Sequence, residues 1–245
     1  LRESAPGAGP VQFLIEPHSV ALRREELLGI AGIAAVSAPA DPGMLEIGAT
    51  LGIRWVRPYD TQRRDYLPTD YNLLYGGIDF DNVVKRLTVP NGIMVSVGQR
   101  MANEMSCLAT AHDFAQDPSD RLLFPYAEIG FIPEDDNGFS VPAVNDAIRA
   151  NIQHLYDHVL GESYDLNDNE ITEAYNLFVT IWKDGKNGVA AGTYSPDLGN
   201  CRASNDYWTG ADLAENAITQ DPDYTVRAWM GVLTYMLSDY KFLHE

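Results

Sequence analysis

Apolar side chains recur every three or four residues between positions 90 and 118, and this periodicity constrains the fold more than any other feature. In the stretch "PNGIMVSVGQRMANEMSCLATAHDFAQDP", the recurring residues are Ile93, Met94, Val97, Met101, Met105 and Leu108. This spacing places them on one face of an α-helix. Pro90 and Pro118 bracket the segment, and Asn91 is suited to cap its first turn. The segment is therefore predicted to form a central helix.

Four other segments also carry helical signals. They span residues 20–36, 142–160, 168–183 and 224–239. Ser140 is expected to cap the helix at 142–160, and Gly161 is expected to end it. Asn167 and Glu170 resemble a capping box before the next helix. The "DGKNG" stretch at 184–188 is predicted to be a turn.

No segment alternates apolar and polar residues over many strands, and the chain contains no internal repeat. Hydrophobic residues make up 45% of the chain, which is typical of a folded globular protein. The predicted fold class is mainly α, with about five or six helices and long ordered loops in a single compact domain. Residues 1–19 are expected to be an N-terminal extension or linker. Residues 20–245 form the predicted helical domain, with a weak subdivision near 119–141.

The chain is strongly acidic: its 17 Lys and Arg residues oppose 35 Asp and Glu residues, so the formal net charge is −18. Such a surface repels phosphates, and we therefore expect no binding to nucleic acid or anionic lipid. The longest apolar stretch, residues 27–38, is shorter than the roughly 20 residues that span a bilayer. The chain starts at Leu1 without a signal peptide, and we expect a processed, exported protein of the periplasm, extracellular space or cell surface.

Cys107 and Cys201 are the two cysteines of the chain, and they are predicted to form a disulfide. Closing a loop of about 94 residues would stabilise the fold by roughly 4–5 kcal/mol, because it restricts the unfolded chain. Two separate buried thiols are the alternative in a reducing compartment. Cys107 and His112 stand five residues apart on one predicted helix, so they point to different faces and are not expected to form a nucleophile–base pair.

His154 and His158 stand four residues apart in "NIQHLYDHVLGE", a spacing that places two imidazoles on one helix face. Such a pair can hold Zn²⁺ or Cu²⁺ if Asp157, Glu162 or another loop residue adds a third ligand. The alternative is a polar helix edge without metal, because the histidines fall beside the apolar stripe, in line with Asn151. In that case, a charged His158 would complement the helix dipole.

Two acidic stretches, "PEDDNG" and "DLNDNE", carry oxygen ligands of the kind that Ca²⁺ prefers. In the first stretch, Glu134, Asp135 and Asp136 are candidate calcium ligands, and a solvated turn is the alternative. The second stretch departs from the EF-hand pattern, and helix capping explains it better.

The C-terminal part of the chain resembles a known kind of protein. The stretches "LGESYDLNDNEITEAYNLFVTIW" and "VRAWMGVLTYMLSDYKFLHE" resemble a helical module of uncharacterised exported proteins of planctomycetes and myxobacteria, which often accompany c-type cytochrome domains. Residues 71–88 and 100–107 also resemble the myxobacterial members. The resemblance implies a helical fold and a c-type cytochrome as a partner, and it implies no activity. The chain has no CxxCH motif, so no cofactor of its own is expected.

The sequence contains no GxSxG elbow, no P-loop and no HExxH motif, and we assign no catalytic residue. Aromatic-rich loops at 55–80 and 189–221 offer contact surface. The sequence therefore predicts a non-enzymatic structural or binding subunit of a periplasmic or cell-surface assembly, with other protein subunits as partners. Two alternatives are a metal-dependent hydrolase that uses His154 and His158, and a Ca²⁺-stabilised extracellular binding module.

Overall fold

The computed structural model describes residues 48–54, 92–135 and 137–239. Within these residues the chain is mainly helical and has no β-strand, which confirms the predicted fold class. The long helices are α1 (Gly92–Phe114), α2 (Pro142–Leu155), α3 (Asn169–Ala190) and α4 (Thr225–Leu237). A π-helical turn, Tyr156–Leu160, continues α2, and Gly161 ends it with a φ of 57°. The helix predicted at 20–36 and the predicted cap Asn91 lie outside the described residues.

The helix α1 has the apolar face that its periodicity predicts. Met94, Val97, Met101 and Met105 are all buried. Ile93 differs, because its side chain is 59% exposed. It stands in the first turn of the helix, next to Met94, and the two residues therefore point to different sides.

The helix α4 packs on both α1 and α3. The indole ring of Trp229 is fully buried, with its centroid 4.7 Å from the ring of Phe178 and 5.2 Å from that of Phe124. The buried apolar residues of this helix include Val226, Trp229, Met230, Leu233, Met236 and Leu237. Aromatic rings of this size contribute much of the buried apolar surface of a core.

The helix α3 continues to Ala190, so the turn predicted at 184–188 is wrong. The two glycines of that stretch serve close packing. A Cβ atom at Gly185 would overlap the ring of Tyr224, and one at Gly188 would overlap the ring of Tyr194. Glycine lets these rings lie directly on the helix backbone.

The predicted N-caps of α2 and α3 are also wrong, whereas Gly161 ends the helix as predicted. The N-cap of α2 is Val141, and Ser140 Oγ instead accepts a hydrogen bond of 2.7 Å from Asn145 Nδ2. The N-cap of α3 is Asp168, whose carboxylate accepts the backbone N–H of Asp165, so the Asn167–Glu170 box does not form. Ser140 therefore bonds to a side chain of the first helical turn rather than to a backbone N–H, and Asp168 bonds to a backbone N–H that precedes the helix.

The long loop after α3 is held by a disulfide and by backbone pairing. The sulfurs of Cys107 and Cys201 are 2.05 Å apart, which is disulfide distance as predicted, and the bond joins α1 to the 3₁₀ turn Gly199–Cys201. Isolated antiparallel bridges link the two sides of the loop, at Asp197–Gln220, Ala203–Ile218 and Asn205–Asp212. The loop is therefore an ordered layer fastened to the helices.

Candidate functional site

The histidine pair lies where α2 passes into the π-helical turn. The wider i→i+5 turn brings His158 over His154, and the two rings stack with centroids 5.4 Å apart and planes 8° apart. The Nε2 atom of His154 lies 2.8 Å from the carbonyl oxygen of Leu122, and that of His158 lies 2.8 Å from the carbonyl oxygen of Thr50. The pair therefore joins two segments that are distant in sequence to the end of α2.

The predicted polar edge of α2 is not simply solvated, because its side chains form hydrogen bonds to other segments of the protein. Asn151 is fully buried: its Oδ1 accepts the N–H of Tyr126 and its Nδ2 donates to the carbonyl of Leu123. Three side chains along this edge of α2 therefore bind other segments. Asn151 and His154 bind residues 122–126, and His158 binds Thr50. The sequence placed these residues correctly on one edge, but it did not predict their partners.

This geometry limits how the two histidines can bind a metal. A carbonyl oxygen only accepts hydrogen bonds, so both Nε2 atoms carry protons and a metal ion would bind at Nδ1. The carboxylates proposed as third ligands have partners of their own, because Asp157 accepts from Ser163 and Glu162 accepts from Tyr164. Among residues 48–54, 92–135 and 137–239, no cluster of three or more His, Cys, Asp or Glu side chains is arranged to hold a metal ion. Metal binding stays a prediction, which elemental analysis of the purified protein and of the His154→Ala variant tests.

Burial lowers the pKa of the His158 imidazole below its usual value. The bond to the Thr50 carbonyl opposes this shift, the neighbouring His154 adds to it, and the carboxylates of Asp113 and Asp157 oppose it. The lowered pKa favours the neutral imidazole, which works against the predicted interaction of a charged His158 with the helix dipole.

The acidic loop predicted to bind calcium uses its carboxylates within the protein. Glu134 Oε1 lies 2.7 Å from the ammonium group of Lys183 on α3. Asp135 Oδ1 accepts the backbone N–H groups of Asn137 and Phe139, at 2.9 and 2.8 Å, which closes a tight turn. Asp136, the third candidate, lies outside the described residues. Calcium binding stays a prediction.

An organising carboxylate that the sequence did not predict is Asp113, at the end of α1. Its two oxygens accept the consecutive backbone N–H groups of Leu122, Leu123 and Phe124 at 2.8–3.1 Å. Burial raises the pKa of Asp113 above its usual value, although these three bonds and the nearby Arg121 oppose the shift. No local sequence motif identifies such a residue, because its hydrogen-bond donors lie nine to eleven positions further along the chain.

Arg54, Tyr207 and Trp208 form an exposed aromatic cluster. The sequence predicted contact surface on the loop at 189–221 but not this grouping with Arg54, and the other predicted contact loop, 55–80, lies outside the described residues. The Tyr207 hydroxyl accepts the backbone N–H of Arg54 at 2.8 Å and donates to its carbonyl at 2.5 Å. The Arg54 guanidinium lies 5.5 Å from the ring centroid of Trp208, and the rings of Tyr207 and Trp208 meet edge to face. Asp206 Oδ1 fixes the turn by accepting from the backbone of Trp208 and from both donors of Thr209.

The three side chains of this cluster differ in exposure. Tyr207 is buried, whereas Arg54 is exposed and Trp208 is 58% exposed. The cluster thus presents a large aromatic ring and a guanidinium group to solvent on a fixed support. Tryptophan, tyrosine and arginine are the residues most enriched at the energetic centres of protein interfaces.

In the part of the chain that the structure describes, no helix combines the length and the apolar character needed to cross a bilayer. Searches of protein-family models, of curated proteins and of solved structures found no match to the chain. The resemblance to exported planctomycete and myxobacterial proteins therefore stays a prediction.

Proposed function

We propose that the protein is a non-enzymatic binding subunit of an exported protein assembly, and that the exposed aromatic cluster is the centre of its contact surface. The observation that carries this proposal is Trp208, which is 58% exposed although its backbone and its neighbours are fixed by hydrogen bonds. A side chain ordered before binding loses less conformational entropy when a partner docks. An exposed tryptophan held this way is typical of an interface anchor.

Two further features support the compartment and the kind of partner. The disulfide between α1 and the long loop supports an oxidising environment, as in the periplasm or outside the cell. The net charge of −18 favours a partner with a basic surface, because opposite charges speed and orient association. A c-type cytochrome stays a candidate partner under this proposal, and any haem would belong to it.

The test is the native mass of the protein isolated under mild conditions from the cells that produce it. We expect a particle larger than the 27.1 kDa of this chain. In Trp208→Ala, loss of an anchor costs about 2 kcal/mol or more, so the affinity should fall roughly thirtyfold and the particle should dissociate.

The matched control is Phe139→Ala, since Phe139 is 70% exposed and lies on a different loop. This variant should keep the wild-type mass. A wild-type protein recovered as a strict monomer would contradict the proposal, as would equal dissociation of the two variants. Circular dichroism of both variants establishes that each is folded.

A further inference from the structure

The chain contains three Asn–Gly pairs, at 91–92, 137–138 and 187–188, and the second and third lie wholly within the described residues. Asn137 and Gly138 stand in the loop that precedes α2, whereas Asn187 and Gly188 stand near the end of α3. Both asparagines are exposed to solvent. The two pairs therefore share their chemistry and their access to water, and they differ in the backbone that holds them.

An asparagine that precedes glycine can react with its own backbone, because glycine has no Cβ to block the approach. At 137–138, the backbone nitrogen of Gly138 would attack Cγ of Asn137. The new C–N bond closes a cyclic imide, the bond from Cγ to the side-chain nitrogen breaks, and that nitrogen leaves as ammonia with the proton of Gly138. Water then opens the imide. Hydrolysis at Cγ gives aspartate, and hydrolysis at the backbone carbonyl gives isoaspartate.

The loop at 135–139 holds its backbone but not the reacting amide. Gly138 N–H donates to the carbonyl of Asp135 at 2.9 Å, and Asp135 Oδ1 accepts the N–H groups of Asn137 and Phe139 at 2.9 and 2.8 Å. None of these bonds involves the side-chain amide of Asn137. The attack requires only that this exposed turn opens, and exposed turns open at a low free energy.

The pair on α3 is held much more firmly. Gly188 N–H is an interior helical donor, and the carbonyl of Asn187 accepts the N–H of Ala191 at 2.9 Å. The carbonyl of Gly188 accepts the N–H groups of Thr193 and Tyr194, and the Tyr194 ring lies directly on Gly188. Attack on Asn187 would therefore require the end of the helix to unwind and the Tyr194 ring to move.

We propose that Asn137–Gly138 is a site of spontaneous deamidation, at which water converts Asn137 to aspartate and isoaspartate, whereas the fold protects Asn187–Gly188. The inference is independent of the proposed binding function, because it rests on the loop before α2 and not on the exposed aromatic cluster.

The modification changes both the charge and the backbone of the loop. Either product adds a carboxylate beside Asp135, in a chain whose net charge is already −18. Isoaspartate also inserts one more carbon into the backbone between Asp135 and Phe139, whose N–H and carbonyl are bonded at 2.9 Å. The turn then loses its hydrogen-bond register, and amide hydrogen exchange at 135–139 should be faster in the isoaspartyl form.

Tandem mass spectrometry of the full chain, sampled over time in mildly alkaline buffer, tests the inference. Trypsin releases residues 122–149 and 187–202 as separate peptides, because they follow Arg121 and Lys186. In the folded chain, Asn137 should convert at least about tenfold faster than Asn187. In denaturing urea the two rates should converge. The assignment is overturned if Asn187 reacts as fast as Asn137 in the folded chain, or if Asn137 reacts only in urea.

Enzymatic methylation of isoaspartyl carboxylates identifies the product. It should label peptide 122–149 of the aged wild type. The label should be lost in Asn137→Gln, whose longer side chain would have to close a larger and less favourable ring. A label that persists in this variant would place the reaction at another residue and would contradict the proposal.

Two aspartate variants test whether the turn controls the rate. Asp135→Ala removes the oxygen that accepts two N–H groups of the turn, so conversion of Asn137 should accelerate by about fivefold or more. Asp146→Ala is the matched control, because it removes one exposed carboxylate from α2 and makes the same change in net charge. Its rate should match that of the wild type. Equal rates in the two variants would overturn control by the turn, and circular dichroism establishes that both are folded.

Discussion

Two buried carboxylates, Asp113 and Asp221, act as organisers of the backbone. Asp113 receives three N–H groups from residues 122–124, and Asp221 receives those of Val226 and Arg227 together with the Arg227 Nε–H. A buried carboxylate is costly unless such donors surround it. Both acids are therefore structural, and their burial carries no evidence for acid–base catalysis.

The variant Asp113→Asn tests this role. Oδ1 accepts the N–H of Leu122 and Oδ2 accepts those of Leu123 and Phe124, so an amide NH₂ at either position would face a donor. We expect the free energy of unfolding to fall by about 1–3 kcal/mol, measured by urea denaturation. The exposed Asp120→Asn should change it by less than about 0.5 kcal/mol. Equal effects of the two substitutions would contradict the organising role.

His158 should make the stability of the fold depend on pH. Burial lowers its pKa in the folded state below the unfolded value of about 6.5, so the unfolded chain binds the proton more readily. The contribution of His158 to stability is therefore complete above pH 6.5, and it is lost as the pH falls from there through the lowered folded pKa. Urea denaturation at a series of pH values measures this loss.

Two glutamine variants separate the contribution of His158 from that of other groups. His158→Gln keeps an N–H donor for the Thr50 carbonyl but cannot titrate, so this part of the pH dependence should vanish. His154→Gln removes one of the groups that lower the pKa of His158, and it should weaken the dependence without abolishing it. A pH profile of His158→Gln identical to that of the wild type would contradict the argument.

At the level of elements, local periodicity predicted the helices, and long-range packing decided where they end. The spacing of apolar residues was sufficient for α1 and α4, because one buried face determines each helix. It failed at the end of α3, where Gly185 reads locally as a turn residue but in the fold accommodates the ring of Tyr224. The sequence placed Tyr156–Leu160 in a helix that Gly161 ends, and the structure agrees, but the apolar spacing did not predict that this last turn is π-helical.

The substitution Gly185→Ala tests whether Gly185 is needed to accommodate the Tyr224 ring. In an exposed helix interior, alanine is more favourable than glycine by about 1 kcal/mol. At Gly185 the new methyl group would overlap the Tyr224 ring, and overpacking of this kind costs about 1–3 kcal/mol. Thermal melting should therefore show a lower Tm.

Gly92→Ala is the matched control for this substitution, because a Cβ at Gly92 meets no atom within 4 Å. Gly92 stands at the first residue of α1, where alanine should leave the Tm unchanged or raise it. A Tm for Gly185→Ala at or above that of the wild type would show that Tyr224 can move aside.

At the scale of the whole molecule, the surface features arise from segments far apart in the chain. Arg54 and Tyr207, whose contact supports the exposed aromatic cluster, are 153 residues apart in sequence. His158 reaches Thr50 across 108 residues. The sequence could identify the histidines, the cysteines and the acidic loop as polar features, but only the packed helices determine which partner each one meets. The disulfide was the exception, because two cysteines leave a single intramolecular pairing.

The disulfide should couple the stability of the helices to the order of the long loop. Cys107 and Cys201 enclose a separation of 94 residues, and on the chain-entropy model the bond stabilises the fold by roughly 4–5 kcal/mol. In a Cys107→Ser, Cys201→Ser variant, urea denaturation should show a loss of at most this size. Hydrogen exchange should accelerate most in residues 195–221, which include Trp208, since their link to α1 is cut. A variant whose loop exchanges as slowly as that of the wild type would mean that the backbone bridges alone order the exposed aromatic cluster.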